Sequence, residues 1–176
     1  MNYLAHLLVA DRLDACPLGT LMGDHVKGPL DGRLNGELHR AVALHRRVDA
    51  FTDRHPVFCR SKRRLSGRFR HYAGILVDVF YDHCLALAWD RYADEPLERF
   101  AARTYGALRA KRHRAPEALR PLIDGMQRID LLSSYRRPQG VERALGSVSR
   151  RLRRPNRLHE ALPALQQTVL LRDDAP

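Results

Sequence analysis

Apolar residues recur at three- and four-residue intervals along most of the chain, the spacing typical of amphipathic helices. Alternating runs of valine, isoleucine and threonine between turns, which would indicate strands, are nearly absent. Proline and glycine residues divide the pattern into segments. These segments predict helices near residues 2–13, 18–27, 36–54, 57–66, 69–92, 96–112, 116–132, 138–153 and 158–171. The expected fold is an all-α helical bundle, a single domain over residues 1–176 that ends in a short polar tail.

One predicted helix carries charged side chains on a surface that is otherwise apolar. Residues 74–89 read GILVDVFYDHCLALAW, and on a helical wheel Asp78 and Asp82 share a stripe with isoleucine, leucine and tryptophan. His83 follows the second carboxylate. Burial of unpaired carboxylates is costly, so a positive group must compensate for them. That group is either arginine or a metal ion.

Two further segments repeat this feature. In residues 38–56, LHRAVALHRRVDAFTDRHP, the side chains of His45, Asp49 and Asp53 follow one another at intervals of one helical turn. Earlier, Asp24 follows a glycine in LGTLMGDHVKG, on a short helix whose other face is apolar. Three helices in the first 90 residues thus direct carboxylate or imidazole groups towards the interior.

Such a set has two readings. Mg²⁺ and Mn²⁺ prefer carboxylate ligands, histidine admits manganese, iron, cobalt or zinc, and helical bundles build metal sites from facing helices. The other reading is a buried ion-pair network, in which Arg46, Arg47 or Arg70 neutralises Asp78 and Asp82.

The charge of the chain is unevenly distributed. The sequence has 31 lysine and arginine residues against 20 acidic residues, and residues 101–160 alone hold 15 basic and five acidic ones. A basic half indicates an acidic partner, either nucleic acid or an acidic protein; a solvated arginine-rich surface is the alternative. No apolar run approaches the roughly 18 residues of a membrane span. The three cysteines form no CxxC pair, so we expect reduced thiols and a cytoplasmic protein.

Four blocks of sequence, in order, resemble one known family. They are MNYLAHL at the start, GTLMGDHVKG, LHRRVDAFTD, and DVFYDHCL followed by Trp89. Together they resemble the bacterial acyl-carrier-protein phosphodiesterases, also called acyl-carrier-protein hydrolases. The resemblance covers residues 1–89; beyond them it is limited to scattered positions such as Leu132, Tyr135 and an RRL run near residue 150.

This resemblance implies a hydrolase. Its substrate would be holo-acyl carrier protein, and its products the apo protein and free 4'-phosphopantetheine. The family implies a divalent metal, with Mn²⁺ preferred and Mg²⁺ a possible substitute. It has been likened to the all-helical HD-domain phosphohydrolases, which predicts an HD-domain-like bundle; this chain has Asp82 and His83 in the reverse order. A basic surface suits the acidic carrier protein.

Roles can then be assigned to residues as hypotheses. The expected metal ligands are Asp24, His45, Asp49, Asp78 and Asp82. His83 is expected to be a ligand or a general acid that protonates the departing serine oxygen. Arg46 and Arg47 are expected to neutralise charge on the phosphoryl oxygens.

Two residues are weaker site candidates, and six arginines complete the prediction. A histidine on an apolar helix, as His6 is, more often belongs to the core. Asp53 either orients His45 or an arginine, or only caps its helix. The docking face for the carrier protein is expected to include Arg109, Arg112, Arg136, Arg137, Arg150 and Arg151.

Two other functions remain open. One is an HD-like phosphohydrolase acting on a nucleotide or another small phosphodiester, although no P-loop or glycine-rich nucleotide motif supports a particular substrate. The other is a non-enzymatic, basic, helical protein that binds nucleic acid. Against it, the arginine-rich half lacks interleaved aromatic residues and a recognised DNA-binding motif.

Overall fold

The structure, a computed structural model, describes residues 3–30, 32, 34, 36–65, 67–152, 158 and 161–163, with the backbone alone for residues 67, 68 and 151. Within these residues the chain is helical and has no strand, which confirms the all-α prediction. The α-helices are α1 (Tyr3–Arg12), α2 (Pro17–Met22), α3 (Gly36–Arg54), α4 (Pro56–Arg64), α5 (Ala73–Leu87), α6 (Leu97–Ala110), α7 (Arg120–Arg128), α8 (Leu131–Ser134) and α9 (Pro138–Arg151).

Several helix boundaries follow directly from local sequence. Pro17, Pro56 and Pro138 each occupy the first turn of a helix, where the missing N–H of proline costs nothing. His55 separates α3 from α4 and accepts a hydrogen bond from the N–H of Val57 at 3.3 Å, which caps α4.

Three predicted helices differ from the structure. The helix predicted at 18–27 ends at Met22, because the low-propensity Gly23 follows it and the chain turns there. The helix predicted at 69–92 is a 3₁₀ helix over Gly67–Tyr72, then α5, then a 3₁₀ turn over Trp89–Arg91. The helix predicted at 116–132 is interrupted where Asp130 adopts a left-handed conformation (φ 44°) between α7 and α8. Most of the helix predicted at 158–171 lies outside the described residues.

Helix α5 lies at the centre of the bundle. It packs against α1, α4 and α9. Its residues Leu76, Val77, Val79, Phe80 and Ala86 are all buried, as the near-continuous apolar sequence predicts. Helices α1 and α3 contact each other and both contact α2, so the candidate residues of α1, α3 and α5 come from neighbouring elements.

Helices α2 and α3 cross very closely. A β-carbon added to Gly19 would lie 2.6 Å from the β-carbon of Ala41, so only glycine permits this approach. The crossing brings the C-terminal end of α2 against the middle of α3, where His45 lies. In the described part of the chain, no helix is long and apolar enough to cross a membrane.

Candidate metal centre

Three side chains from α1 and α3 form a compact cluster. Nε2 of His6 lies 2.9 Å from Oδ1 of Asp49, and Nε2 of His45 lies 3.1 Å from Oδ2 of the same carboxylate. The two imidazole rings stack, with centroids 4.0 Å apart and planes within 16° of parallel. One potential ligand atom from each residue lies within 4.8 Å of the other two.

His45 is buried, and its nitrogen atoms lack hydrogen-bond partners. Although Nε2 approaches Asp49, the atoms are not aligned for a hydrogen bond, and neither ring nitrogen has a partner among the described residues. A buried polar atom without a partner costs free energy unless something outside the chain satisfies it. Asp49 and Asp24 can form ion pairs with His45 only while the ring is protonated, so a neutral His45 has a nitrogen available for a further group such as a metal ion.

The backbone of Gly23 holds the ring of His45 in place. A β-carbon at position 23 would lie 2.7 Å from the β-carbon of His45 and would overlap Cγ and Cδ2 of the ring. The next residue, Asp24, places Oδ1 3.7 Å from Nε2 of His45. The turn after α2 thus supplies both a steric support and a second carboxylate.

The charges in the cluster reinforce one another. Burial alone would lower the pKa of His45, but the carboxylates of Asp24 and Asp49 outweigh it and raise the pKa to about 9. Burial raises the pKa of Asp49, but His45 and His6 together hold it well below its usual range. The pKa of Asp24 is likewise lowered, because its contact with His45 outweighs its burial.

The donor set fits a divalent transition metal. Two imidazole nitrogens and a carboxylate oxygen, with Asp24 close by, match the ligand preferences of manganese, iron, cobalt or zinc. Helical proteins hold such ions with side chains from facing helices, as here from α1 and α3. The unpartnered nitrogens of His45 supply an observation independent of the spacing.

Asp78 is half-buried on α5 and interacts electrostatically with this cluster. Burial raises its pKa, and the charge of Asp49 acts in the same direction, whereas His6 acts against it. Asp78 does not belong to the compact three-residue group, but its carboxylate lies within the electrostatic reach of that group.

Asp82 has a different environment. It is fully buried, and its two oxygens accept hydrogen bonds from the N–H groups of Leu4 at 3.0 Å and Ala5 at 2.9 Å. These are unsatisfied donors of the first turn of α1, which a carboxylate stabilises well. Burial raises the pKa of Asp82 to about 7, even though both N–H groups lower it. The structure therefore places Asp82 at the N-terminal end of α1, against the two residues that precede His6, and outside the three-residue cluster.

The other site candidates from the sequence also lie outside the cluster. His83 donates from Nδ1 to the carbonyl oxygen of Tyr135 at 2.5 Å. Arg46 donates to the carbonyl oxygen of Val26 at 2.8 Å, so it supports the loop after α2. The remaining two are exposed: Arg47 lies on the outer surface of α3, and Asp53 pairs at 3.7 Å with Lys62.

His6, only a weaker candidate from the sequence, is one of the three residues of the cluster. The structure brings it into direct contact with Asp49 and against His45. The pattern within α1 carried no second charged residue at helical spacing, so only the block MNYLAHL could have raised its rank.

The predicted docking arginines divide into three groups. Arg112 forms a bidentate pair with Asp124, with both distances 2.6 Å, and Arg136 pairs with Glu98 at 2.7 Å. Three others, Arg109, Arg137 and Arg150, are exposed. The side chain of Arg151 lies outside the described residues.

Comparison with known proteins adds the family. A sequence model described as acyl carrier protein phosphodiesterase matches residues 1–171. Proteins of that name from Photorhabdus laumondii and Pectobacterium atrosepticum are 40% identical over 91 residues and 41% identical over 101 residues, which are 52% and 57% of this chain. One from Salmonella dublin is 27% identical over 162 residues, 92% of this chain and 84% of that protein. The chain spans about half the length of the first two relatives, 46% and 52%. No solved structure matches.

Proposed function

We propose that this chain, which belongs to the acyl carrier protein phosphodiesterase family, hydrolyses the phosphodiester that joins 4'-phosphopantetheine to a serine of holo-acyl carrier protein. The observation that carries the proposal is the cluster of His6, His45 and Asp49, with the unpartnered ring of His45 at its centre. A divalent metal, Mn²⁺ with Mg²⁺ as a substitute, is the group that this cluster would hold.

Four residues of the chain are proposed to hold the ion. Nε2 of His6, Nε2 of His45 and the carboxylate of Asp49 are the proposed ligands, with Asp24 as an additional oxygen donor. When bound there, the ion supplies Lewis acidity towards a phosphoryl oxygen. His45 must be neutral to act as a ligand, and its pKa of about 9 means that the metal-free site holds a proton at neutral pH.

Asp78 is the proposed proton acceptor. Its raised pKa brings the carboxylate closer to the range in which it can take a proton from an attacking water molecule at neutral pH. Its half-buried position on α5, within electrostatic reach of Asp49 and His6, suits this role. His83 suits it less well, because Nδ1 already donates to the Tyr135 carbonyl and the ring lies outside the cluster.

Asp82 and Arg46 have proposed positioning roles. Asp82 accepts hydrogen bonds from two N–H groups at the start of α1. It thereby fixes the position of α1 and of His6 relative to Asp49. Arg46 binds the carbonyl oxygen of Val26 and so fixes the loop that carries Asp24.

The test is incubation of holo-acyl carrier protein with the full chain and Mn²⁺, followed by mass spectrometry of the carrier. We expect the carrier to lose 4'-phosphopantetheine, and we expect EDTA to stop this loss. An unchanged carrier mass would contradict the proposed reaction. Loss that continues in EDTA would contradict the role of the metal. A nucleic-acid binder would instead show no carrier cleavage and a steep salt dependence for DNA or RNA binding.

A further inference from the structure

A groove of about 740 Å³ lies between α7 and α9, outside the metal centre. Apolar side chains line much of it, and Met126, Leu131 and Val148 are buried there. The three proposed metal ligands His6, His45 and Asp49 do not line the groove. The groove therefore requires an explanation of its own.

Two glycines keep this groove open. Gly125 lies within α7 and Gly146 within α9, and both line the groove. A β-carbon on Gly125 would meet no atom within 4 Å, and one on Gly146 would meet only Arg150 at 3.6 Å. Glycine inside a helix costs roughly 0.5–1 kcal/mol relative to alanine. The chain thus carries glycine on both sides of the groove, although larger side chains would fit the helices themselves.

Three arginines also line the groove. Arg128, Arg143 and Arg150 form no ion pair among the described residues. By contrast, Arg112 and Arg136 are held by carboxylates of the chain itself. Arg128 lies close enough to Asp124 to help lower its pKa, and Glu142 also lines the groove. Among the described lining residues, three arginines thus face one carboxylate around an apolar floor, which matches a partner that is both apolar and acidic.

The groove also reaches the neighbourhood of the metal centre. Tyr3 lines it and lies one turn of α1, about 5 Å along the axis, before His6. His25 lines it as well and is adjacent in sequence to Asp24. A partner seated in the groove would therefore have the metal centre beside it.

We propose that this groove receives one amphipathic, acidic helix of the carrier protein. The apolar face of that helix packs on Met126 and Val148, and its carboxylates meet Arg128, Arg143 and Arg150. A helix is about 10 Å across, so a groove of this size takes one face of it. The identity of the partner rests on the proposed function; the groove itself does not. Of the six arginines expected from the sequence to form the docking face, Arg150 lines this groove, whereas Arg112 and Arg136 are paired with carboxylates of the chain.

The probe is fluorescently labelled apo-acyl carrier protein, which has no prosthetic arm and cannot be cleaved, and binding to the full chain is measured by anisotropy. Gly125→Leu fills the groove, and Arg143→Glu with Arg150→Glu reverses its charge. The matched controls are Gly106→Leu, at an exposed helical glycine with open space around it, and Arg63→Glu with Arg64→Glu, at exposed arginines of α4. Circular dichroism checks that each variant is folded.

We expect both groove variants to weaken binding at least about tenfold, and both controls to stay within about twofold of the original chain. If Gly125→Leu does not fold, the binding of the variant with Arg143→Glu and Arg150→Glu tests the proposal. Groove variants that bind as tightly as their controls overturn the proposal. So does loss of binding with Gly125→Leu while the arginine reversals bind normally, which would show that the carboxylates of the carrier do not meet these arginines. Conversion of a dimer into a monomer by Gly125→Leu would indicate a second copy of the chain and would also overturn it.

Because the probe needs no turnover, the two proposals fail separately. If the groove variants weaken binding but the chain does not cleave holo-acyl carrier protein, the docking proposal stands and the proposed reaction is contradicted. If the chain cleaves holo-acyl carrier protein but the groove variants bind the carrier normally, the proposed reaction stands and the docking proposal is contradicted.

Discussion

The imidazole of His45 rests on the backbone of Gly23, with no space between them for a β-carbon. This contact joins the turn after α2 to the middle of α3 and fixes a ring whose two nitrogens have no hydrogen-bond partner in the described chain. Glycine is needed at position 23 because of this contact. Its backbone conformation, with φ −53° and ψ −39°, would suit any residue.

Gly23→Ala should therefore displace the His45 ring and weaken metal binding by about 10- to 100-fold, the range found when a supporting contact of a metal ligand is lost. Mn²⁺ affinity, measured by electron paramagnetic resonance, checks this. The control is Gly106→Ala, on α6, where a β-carbon meets nothing within 4 Å. Equal affinities of the two variants would contradict the role of Gly23.

Metal affinity should rise with pH because of His45. Its pKa of about 9 in the metal-free protein means that binding must release a proton at lower pH. Below pH 9 the affinity should fall by roughly tenfold per pH unit from this group alone. Titrations of Mn²⁺ between pH 7 and pH 9 in two buffers of different ionisation enthalpy measure the released proton. A pH-independent affinity would exclude His45 as a ligand.

The same group gives the metal-free protein a stability that depends on pH. The folded pKa of His45 is raised above its ordinary value of 6.5, so the folded state binds the proton more tightly. The contribution is complete below about pH 6.5 and is lost as pH rises through about 9. Thermal unfolding in EDTA across this range should show the decline, and His45→Gln should remove it. A decline of the same size in His45→Gln would assign it to another group.

Asp82→Asn should lower the free energy of unfolding by about 1–3 kcal/mol, because an amide can accept from only one of the two N–H groups of Leu4 and Ala5 and opposes the other with its own donors. Mn²⁺ affinity should fall with it, since α1 carries His6. Urea denaturation and metal titration measure both effects. Intact stability with lost metal binding would point instead to a direct ligand role for Asp82.

Asp78→Asn should behave in the opposite way. We expect turnover of holo-carrier protein to fall by about 10²- to 10⁴-fold, the usual effect of a lost proton acceptor. The free energy of unfolding should be unchanged or higher, since burial already disfavours the charged form of this carboxylate. Steady-state kinetics and urea denaturation of the same preparation test this. Unfolding of Asp78→Asn would favour a structural ion pair at this position.

The exposed Arg109 and Arg137 lie outside the groove lining and are suitable for testing the wider docking face. If that face extends to them, their reversal to glutamate should raise KM for holo-carrier protein and weaken its salt dependence, with kcat unchanged. Kinetics over a salt series measure this. Unchanged constants would confine docking to the groove.

The sequence predicted the helices, but it could not predict the contacts between side chains of different helices. Helix α3 was predicted with its bounds, because its apolar periodicity is long and ends at a proline. For Asp82, helical spacing shows that the side chain is buried, but it does not show which atoms the carboxylate meets. Its partners are the N–H groups of Leu4 and Ala5, which belong to a helix 77 and 78 residues away in the chain.

The groove could not be predicted for a similar reason. The apolar periodicity of the sequence places Gly125 and Gly146 within helices. It does not show that the two glycines face each other across one groove. Counting charges identified the basic half. It could not distinguish Arg112, which pairs with Asp124, from Arg143, which forms no ion pair with a described residue. Pairing of this kind depends on tertiary structure.

The hydrogen bonds between Asp82 and the start of α1 have a consequence for folding during synthesis. On a ribosome, α1 and α3 leave the exit tunnel before α5, so His6 and His45 are synthesised well before the carboxylate that fixes α1. A nascent chain cannot complete this arrangement until Asp82 has emerged. We expect an ion to be acquired only after the chain through Asp82 has left the tunnel, so that a product truncated before α5 would hold its histidines without a properly formed site.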